Sequence, residues 1–247
     1  MILLHIPSFL DLEIENLPIR IITNDQRHVQ YIERVAYPHI KPSFGFEGLP
    51  IKATIRISDQ LIADPKKFVR ENELIIEDST GTLQFGQTND GKYFIASDIY
   101  QYLNLSWEEE GITHHICSGQ NSEYGAVSII KMHLLKEYNR RLSNLSIFHA
   151  SSITHIPTGT GFVFSTADRG KLHLRKHGKT TSALSCLTDS DKTFQFNSND
   201  EVIMGVNEQN TLNILPFPNE IPIDEATLHQ EIDFNAPELE SWLQMEN

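Results

Sequence analysis

The residues with the clearest potential for chemistry lie in the stretch GKTTSALSCL, which begins at Gly178. Gly-Lys-Thr in front of an apolar, helix-like run matches the second half of a phosphate-binding loop, GxxxxGK[ST]. At such a helix start, unpaired N–H groups and the helix dipole favour an anion, and Lys179 adds a positive charge. The Thr180 hydroxyl can ligate Mg²⁺. The triplet therefore predicts phosphate binding, and the competing interpretation is a structural helix start with a Thr cap.

Two residues on either side of this stretch could complete a site. Asp200 ends the strand-like run FQFNSND, where a carboxylate could hold the same Mg²⁺ or a water bound to it. His149 lies in IFHASSITH, before the loop. The structural alternatives are a turn residue for Asp200 and a hydrogen-bonded core histidine for His149.

The elements that must position these residues follow in order. A strand ending near Ser165 leads into a loop, and a helix begins near Gly178. Twelve residues, 166–177, lie between them, where the motif would leave about five. The stretch KLHLRK inside this loop looks extended, which predicts a small hairpin with its turn at 167–170.

Four segments together resemble the nucleotide-binding core of the HPr serine kinase/phosphorylase family. They are HASSIT, the GFVF strand, GKTTSALSCL and the run FQFNSNDEVI. The resemblance is specific over residues 147–205 and is closest to the shorter relatives, some of which phosphorylate serines on peptides. It implies a P-loop core that transfers the γ-phosphoryl group of ATP to a serine hydroxyl of a peptide or protein. It also implies self-association.

The same resemblance implies roles for individual residues. Gly178, Lys179, Thr180 and Thr181 would contact phosphate, and Thr180 and Asp200 would hold Mg²⁺. Asp200 would alternatively accept the proton of the acceptor hydroxyl, and His149 would lie near the phosphates.

The chain also departs from the family pattern. The first glycine of the P-loop is replaced by His173 and an inner one by Lys176, and a Cβ impedes wrapping of the backbone around phosphate. Side-chain charges, including those of Arg175 and Lys176, would then replace backbone amides. The alternative function is a catalytically inactive pseudokinase that binds a peptide or protein.

Composition excludes several other classes. A formal charge of −13 and a pI near 5.2 argue against a nucleic-acid binder. Cys117 and Cys186 are too far apart for a disulfide framework, and His114, His115 and Cys117 have no second ligand cluster to complete a metal site. No apolar run approaches a membrane span, and the apolar start lacks a basic region before it, so we expect a cytoplasmic protein without membrane partners.

The predicted fold is α+β or α/β in two domains. Residues 1–120 form a mixed module with antiparallel hairpins between 52 and 99, and residues 121–247 form the P-loop core of strand, loop and helix on a mixed sheet. Apolar periodicity predicts a helix over 122–144. Trp107 to Glu110 is expected to be a solvated loop, and PELESWLQM near the end a short helix.

Overall fold

A computed structural model describes residues 8–14, 17–36, 40–42, 50–61, 74–78, 81–88, 90–97, 101–165, 179–187 and 193–217. Over these residues the chain is a mixed α+β protein, rich in strands and with three helices. It divides into two compact units. Unit 1 comprises Met1–Glu33 and Ile40–Leu134, and unit 2 comprises Arg34–His39 and Leu135–Asn247. The division between Leu134 and Leu135 falls inside the long helix that begins at Ser122.

Unit 1 is built on a mixed sheet of nine strands. Its strands are β1 (Ser8–Ile14), β2 (Leu17–Thr23), β3 (Ile40–Pro42), β4 (Ala53–Ser58), β5 (Leu74–Asp78), β6 (Gly81–Gln87), β7 (Tyr93–Ser97), β8 (Tyr102–Glu109) and β9 (Ile112–Gly119). Helix α1 (Gln26–Ala36) follows β2, and its last three residues are assigned to unit 2. The strand order is β3-β1-β2-β4-β9-β8-β7-β6-β5. The β2–β4 and β4–β9 pairs are parallel, and the other pairs are antiparallel.

Alternating apolar residues explain how these elements form. In β4, Ala53, Ile55 and Ile57 are buried while Arg56 between them is exposed, as expected for a strand with one covered face. Most of the apolar run IRIITND lies in β2, and Val29, Ile32 and Val35 are buried at helical spacing on α1. The predicted strands between 52 and 99 are present as β4 to β7, and β5 to β7 are antiparallel as expected. The expected hairpin pairing is wrong for β4, which pairs in parallel with β2 and β9.

The expected solvated loop at Trp107 to Glu110 is wrong. Trp107, Glu108 and Glu109 form the end of β8, paired with β9, and only Glu110 and Gly111 make the turn. Both turn residues have positive φ, of 52° and 76°. Positive φ at both central positions is typical of a tight hairpin turn. The three adjacent glutamates at 108–110 are therefore compatible with a hairpin of two paired strands.

Unit 2 contains two three-stranded sheets. The predicted helix over 122–144 is present as α2 (Ser122–Arg141), whose last seven residues belong to unit 2. The remaining elements are β10 (Ser143–Phe148), β11 (Ala150–His155), β12 (Thr160–Ser165), α3 (Lys179–Leu187), β13 (Phe194–Ser198), β14 (Val202–Val206) and β15 (Leu212–Leu215). The sheet orders are β10-β14-β15 and β12-β11-β13, antiparallel throughout.

Helix α3 covers the β12-β11-β13 sheet. Its buried Ala183, Leu184 and Leu187 pack with Ile153 of β11, and partly buried side chains of the same sheet close the cluster. The core of this sheet therefore depends on one short amphipathic helix.

Several predictions fall outside the described residues, namely the 167–170 turn with its hairpin and the PELESWLQM helix. In the part of the chain that the structure describes, no helix is both long and apolar enough to span a bilayer.

Candidate functional site

The chain direction in the β12-β11-β13 sheet determines where the predicted site residues lie. Strands β12 and β13 are both antiparallel to β11, so they run parallel to each other with β11 between them. Ser165 at the end of β12 pairs with Ala150 at the start of β11, and Ser152 pairs with Ser198 at the end of β13. The residues that precede β11 and follow β12 and β13 therefore meet at one edge of the sheet, which we call the site edge.

Lys179, the first residue of α3, is electrostatically coupled to Asp200 at the site edge. Partial burial lowers the pKa of Lys179 from its ordinary value, and the negative charge of Asp200 opposes this effect. The ammonium group has thus lost part of its hydration, which strengthens its attraction for an anion.

Asp200 has an uncommon backbone conformation. Its φ is 62°, and the Glu201 amide donates to the Asn199 carbonyl over 2.7 Å. A hydrogen bond from residue i+2 to residue i around a positive φ is the rarer, strained form of the γ-turn. Strain of this kind is found most often at functional sites, where the surrounding structure maintains it.

His149 is held against this turn. Its Nδ1 lies 3.0 Å from the backbone carbonyl oxygen of Asp200. Because a carbonyl can only accept, Nδ1 carries the proton and donates it. In the neutral ring, Nε2 is therefore the nitrogen with a lone pair, and the side chain is exposed to solvent. The alternative of a core histidine is wrong for this residue.

A ladder of buried polar side chains lies between β11 and β13 beneath the site edge. Ser151 Oγ donates to Asn199 Oδ1, and the Ser152 and Ser198 hydroxyls lie 3.0 Å apart. All four residues have no measurable exposure. The ladder fixes the backbone that enters the γ-turn, because Asn199 directly precedes Asp200.

A β-bulge extends this polar contact. The register between β11 and β13 shifts between Ser152 and Ile153, and Asn197 Nδ2 donates to Thr154 Oγ1 over 2.8 Å. Bulges are common beside functional sites because they redirect a strand end. The ladder residues were not predicted, although the two adjacent serines within ASSIT and the run FNSND were a signal in the sequence.

The structure thus brings together three of the predicted site residues, His149, Lys179 and Asp200. Thr180 and Thr181 follow Lys179 in the first turn of α3, and the Thr181 carbonyl accepts a hydrogen bond from Ser185 Oγ. Gly178, Arg175 and Lys176 lie outside the described residues.

The histidines of β9 in unit 1 are engaged in other contacts. His114 Nδ1 lies 2.8 Å from Thr54 Oγ1, and its ring stacks on Trp107. Burial raises the pKa of the Cys117 thiol far above its ordinary value. Across the described ranges, no three His, Cys, Asp or Glu side chains group into a possible metal site.

His115 joins two neighbours in one hydrogen-bonded chain. Its Nδ1 lies 2.8 Å from Ser106 Oγ, and its Nε2 lies 2.8 Å from Nε2 of His133 on α2. Burial, then the proximity of His133 and of His114, lowers the pKa of His115 to about 3. At neutral pH, His115 is therefore an uncharged link between the sheet and the helix.

Comparison of the chain with family models, with curated proteins and with solved structures yielded no significant match.

Proposed function

We propose that unit 2 transfers the γ-phosphoryl group of ATP to a serine hydroxyl of a peptide or protein, in the manner of the HPr kinase family. The observation that carries the proposal is the convergence of His149, Lys179 and Asp200 at one sheet edge, although 30 and 21 residues separate them in sequence. The order of elements also agrees with a P-loop core. Strand β12 is followed by helix α3, which begins at the site edge, and then by β13, which runs parallel to β12.

In this proposal Lys179 and the first amides of α3 bind the phosphates. The amides at a helix start have no partners within the helix, and Lys179 is the first residue of α3. Partial desolvation of Lys179 favours a phosphate oxygen as its counter-ion over water. Gly178, Arg175 and Lys176, which precede α3 in the sequence, would add to this contact.

The residues present are compatible with magnesium bound together with a nucleotide. Mg²⁺ is usually held by one or two carboxylates plus the substrate phosphates, rather than by a cage of protein ligands. Asp200 supplies one such carboxylate near Lys179, and the resemblance to the HPr kinase family assigns the hydroxyl ligand to Thr180. When bound, Mg²⁺ neutralises charge on the phosphates.

Proton transfer falls to the residues of the γ-turn. The serine oxygen forms a bond to the γ-phosphorus while the bond from phosphorus to the β–γ bridging oxygen breaks, so ADP leaves. The serine proton passes to the Asp200 carboxylate or to Nε2 of His149. The bond from Nδ1 of His149 to the Asp200 carbonyl keeps that Nε2 unprotonated in the neutral ring.

The proposal predicts that Lys179→Ala weakens ATP binding. Loss of a charge-assisted contact is worth about 1.5–3 kcal/mol, so we expect the Kd for ATP with Mg²⁺ to rise roughly tenfold to hundredfold in calorimetric titration. Lys136→Ala is the matched control, because it removes an exposed helical lysine from the same unit. Its affinity should equal that of the wild type.

Undetectable ATP binding by the wild type, or equal affinity for wild type and Lys179→Ala, would refute the nucleotide site. Either result would favour the second candidate, a pseudokinase that serves as a binding module. The replacement of P-loop glycines by His173 and Lys176 supports that alternative.

A further inference from the structure

The outer edge of β10 has the features of an interaction surface. In the described residues β10 pairs with β14 alone, so its other edge presents backbone N–H and C=O groups with no strand beside them. Five of its six residues are exposed, and the sixth, Leu145, is half-buried. Such an edge is a template for another strand.

The side chains of β10 are unusually apolar for so exposed a strand. Ile147 is 55% exposed and Phe148 is 42% exposed, and they point to opposite faces because they are adjacent. Edge strands that remain unpaired usually carry charges, Pro or Lys, which discourage pairing. The sequence SNLSIF has none of these residues. A bulge interrupts its register with β14 between Ser143 and Ser146, and from Ser146 to Phe148 the register is regular.

We propose that two copies of the chain associate by antiparallel pairing of β10 with β10 of the partner, which gives a two-fold symmetric dimer with a continuous six-stranded sheet. The proposal does not depend on the proposed function. A second copy suits this edge better than a charged partner would, since a strand with no charged residue can face itself without like charges opposite one another.

One register of the two paired β10 strands brings their apolar side chains together. When Ser146 lies opposite the partner's Ser146, Leu145 lies opposite the partner's Ile147 and Ile147 opposite the partner's Leu145. Residues directly opposite in an antiparallel pair share a face, so both apolar pairs form on the same side of the sheet. Asn144, with a φ of 53°, lies in a bulge where the register of β10 with β14 shifts, so it takes no part in this pairing.

The net charge of the whole chain also affects the affinity of this dimer. Each copy carries a formal charge of −13, so two copies repel one another at long range even though the paired strands are neutral. Added salt screens this repulsion, so the dimer should tighten as NaCl is raised from about 50 mM to about 500 mM. An interface held by ion pairs would weaken instead.

The test compares two isoleucines with the same exposure in the same unit. Ile147 on β10 and Ile156, beyond the end of β11, are each 55% exposed. In sedimentation velocity, the wild type and Ile156→Lys should sediment as dimers of about 56 kDa, twice the chain mass of 28.2 kDa. Ile147→Lys, which inserts a charge at the paired edge, should sediment as a monomer with unchanged circular dichroism.

A wild type that stays monomeric at about 100 µM and about 500 mM NaCl would overturn the proposal. So would an Ile147→Lys variant that remains dimeric, or an Ile156→Lys variant that dissociates to the same degree. Each result would show that β10 does not determine association.

A cross-link tests the strand pairing itself. Ser146→Cys should form an intermolecular disulfide on mild oxidation, because the register places the two positions directly opposite one another. Ser128→Cys, at an exposed position of α2, is the control and should not. Both are made with Cys186→Ser, which removes the partly exposed native thiol. A dimer that Ser146→Cys fails to cross-link would contradict this strand pairing.

Discussion

His115 shows how a single buried side chain can make stability depend on pH. Its neutral ring joins Ser106 on the neighbouring strand to His133 on α2, and little solvent reaches it. A proton added to this ring would place a charge where burial penalises it most. The contacts of His115 with Ser106 and His133 are therefore most stable while the His115 ring is uncharged.

We predict that the free energy of unfolding falls as the pH is lowered through this range. The pKa of His115 is about 3 in the folded chain and 6.5 in the unfolded chain, so below pH 6.5 the unfolded state binds the proton first. The loss between pH 7.5 and pH 5 should be about 2 kcal/mol, measured by urea denaturation at each pH.

His115→Gln should remove this contribution, so its stability should change less over the same pH range. His114→Gln is the matched control because it removes the adjacent histidine, whose contacts are to Thr54 and Trp107 instead. If wild type and His115→Gln lose stability equally between pH 7.5 and pH 5, the buried histidine is not the source.

At the scale of elements, the polar ladder between β11 and β13 replaces apolar contacts that strands in a core usually make. The hydroxyl groups of Ser152 and Ser198 share one hydrogen bond, and neither residue has measurable exposure. A buried pair of this kind adds little net stability, but loss of one partner leaves the other without its hydrogen bond.

This asymmetry yields a prediction for a double-mutant cycle. Ser152→Ala and Ser198→Ala should each lower the free energy of unfolding by about 1–3 kcal/mol, whereas the double variant should lose less than the sum of the two. Urea denaturation of the four proteins measures the difference. Additive losses would mean that the two hydroxyls do not act as a pair.

The elements explain what could be predicted from sequence. Helical spacing located α2, and alternation with turn residues located β4 to β7, because burial on one face imposes a period on the chain. GKTT located the start of α3 to within one residue. Trp107 to Glu110 was missed because a charged sequence at a strand end looks like a loop when its cross-strand partner is unknown.

The site was only partly predictable for a related reason. His149, Lys179 and Asp200 could be chosen by residue type and order along the chain. The hydrogen bond from His149 to the backbone of Asp200 could not, because a backbone carbonyl carries no residue type that a sequence pattern could reveal. The γ-turn and the polar ladder depend on the antiparallel register of β11 with β13, which pairs residues 39 to 46 positions apart.

At the scale of the whole molecule, the excess of acidic over basic residues should itself limit stability. The chain has 33 Asp and Glu against 20 Lys and Arg, so folding brings many like charges closer together. At pH 7.5 we predict that the thermal midpoint rises as NaCl increases from about 10 mM to about 300 mM, because the Debye length shortens over that range.

The control for this prediction is the same titration near pH 5.2, where the net charge approaches zero. General effects of the salt on hydration act at both pH values, whereas screening of net charge acts mainly at pH 7.5. Differential scanning calorimetry at the two pH values separates them. An equal rise of the thermal midpoint at both pH values would assign the effect to hydration. A fall of the thermal midpoint at pH 7.5 would mean that local ion pairs, such as Arg20 with Asp11, outweigh the net repulsion.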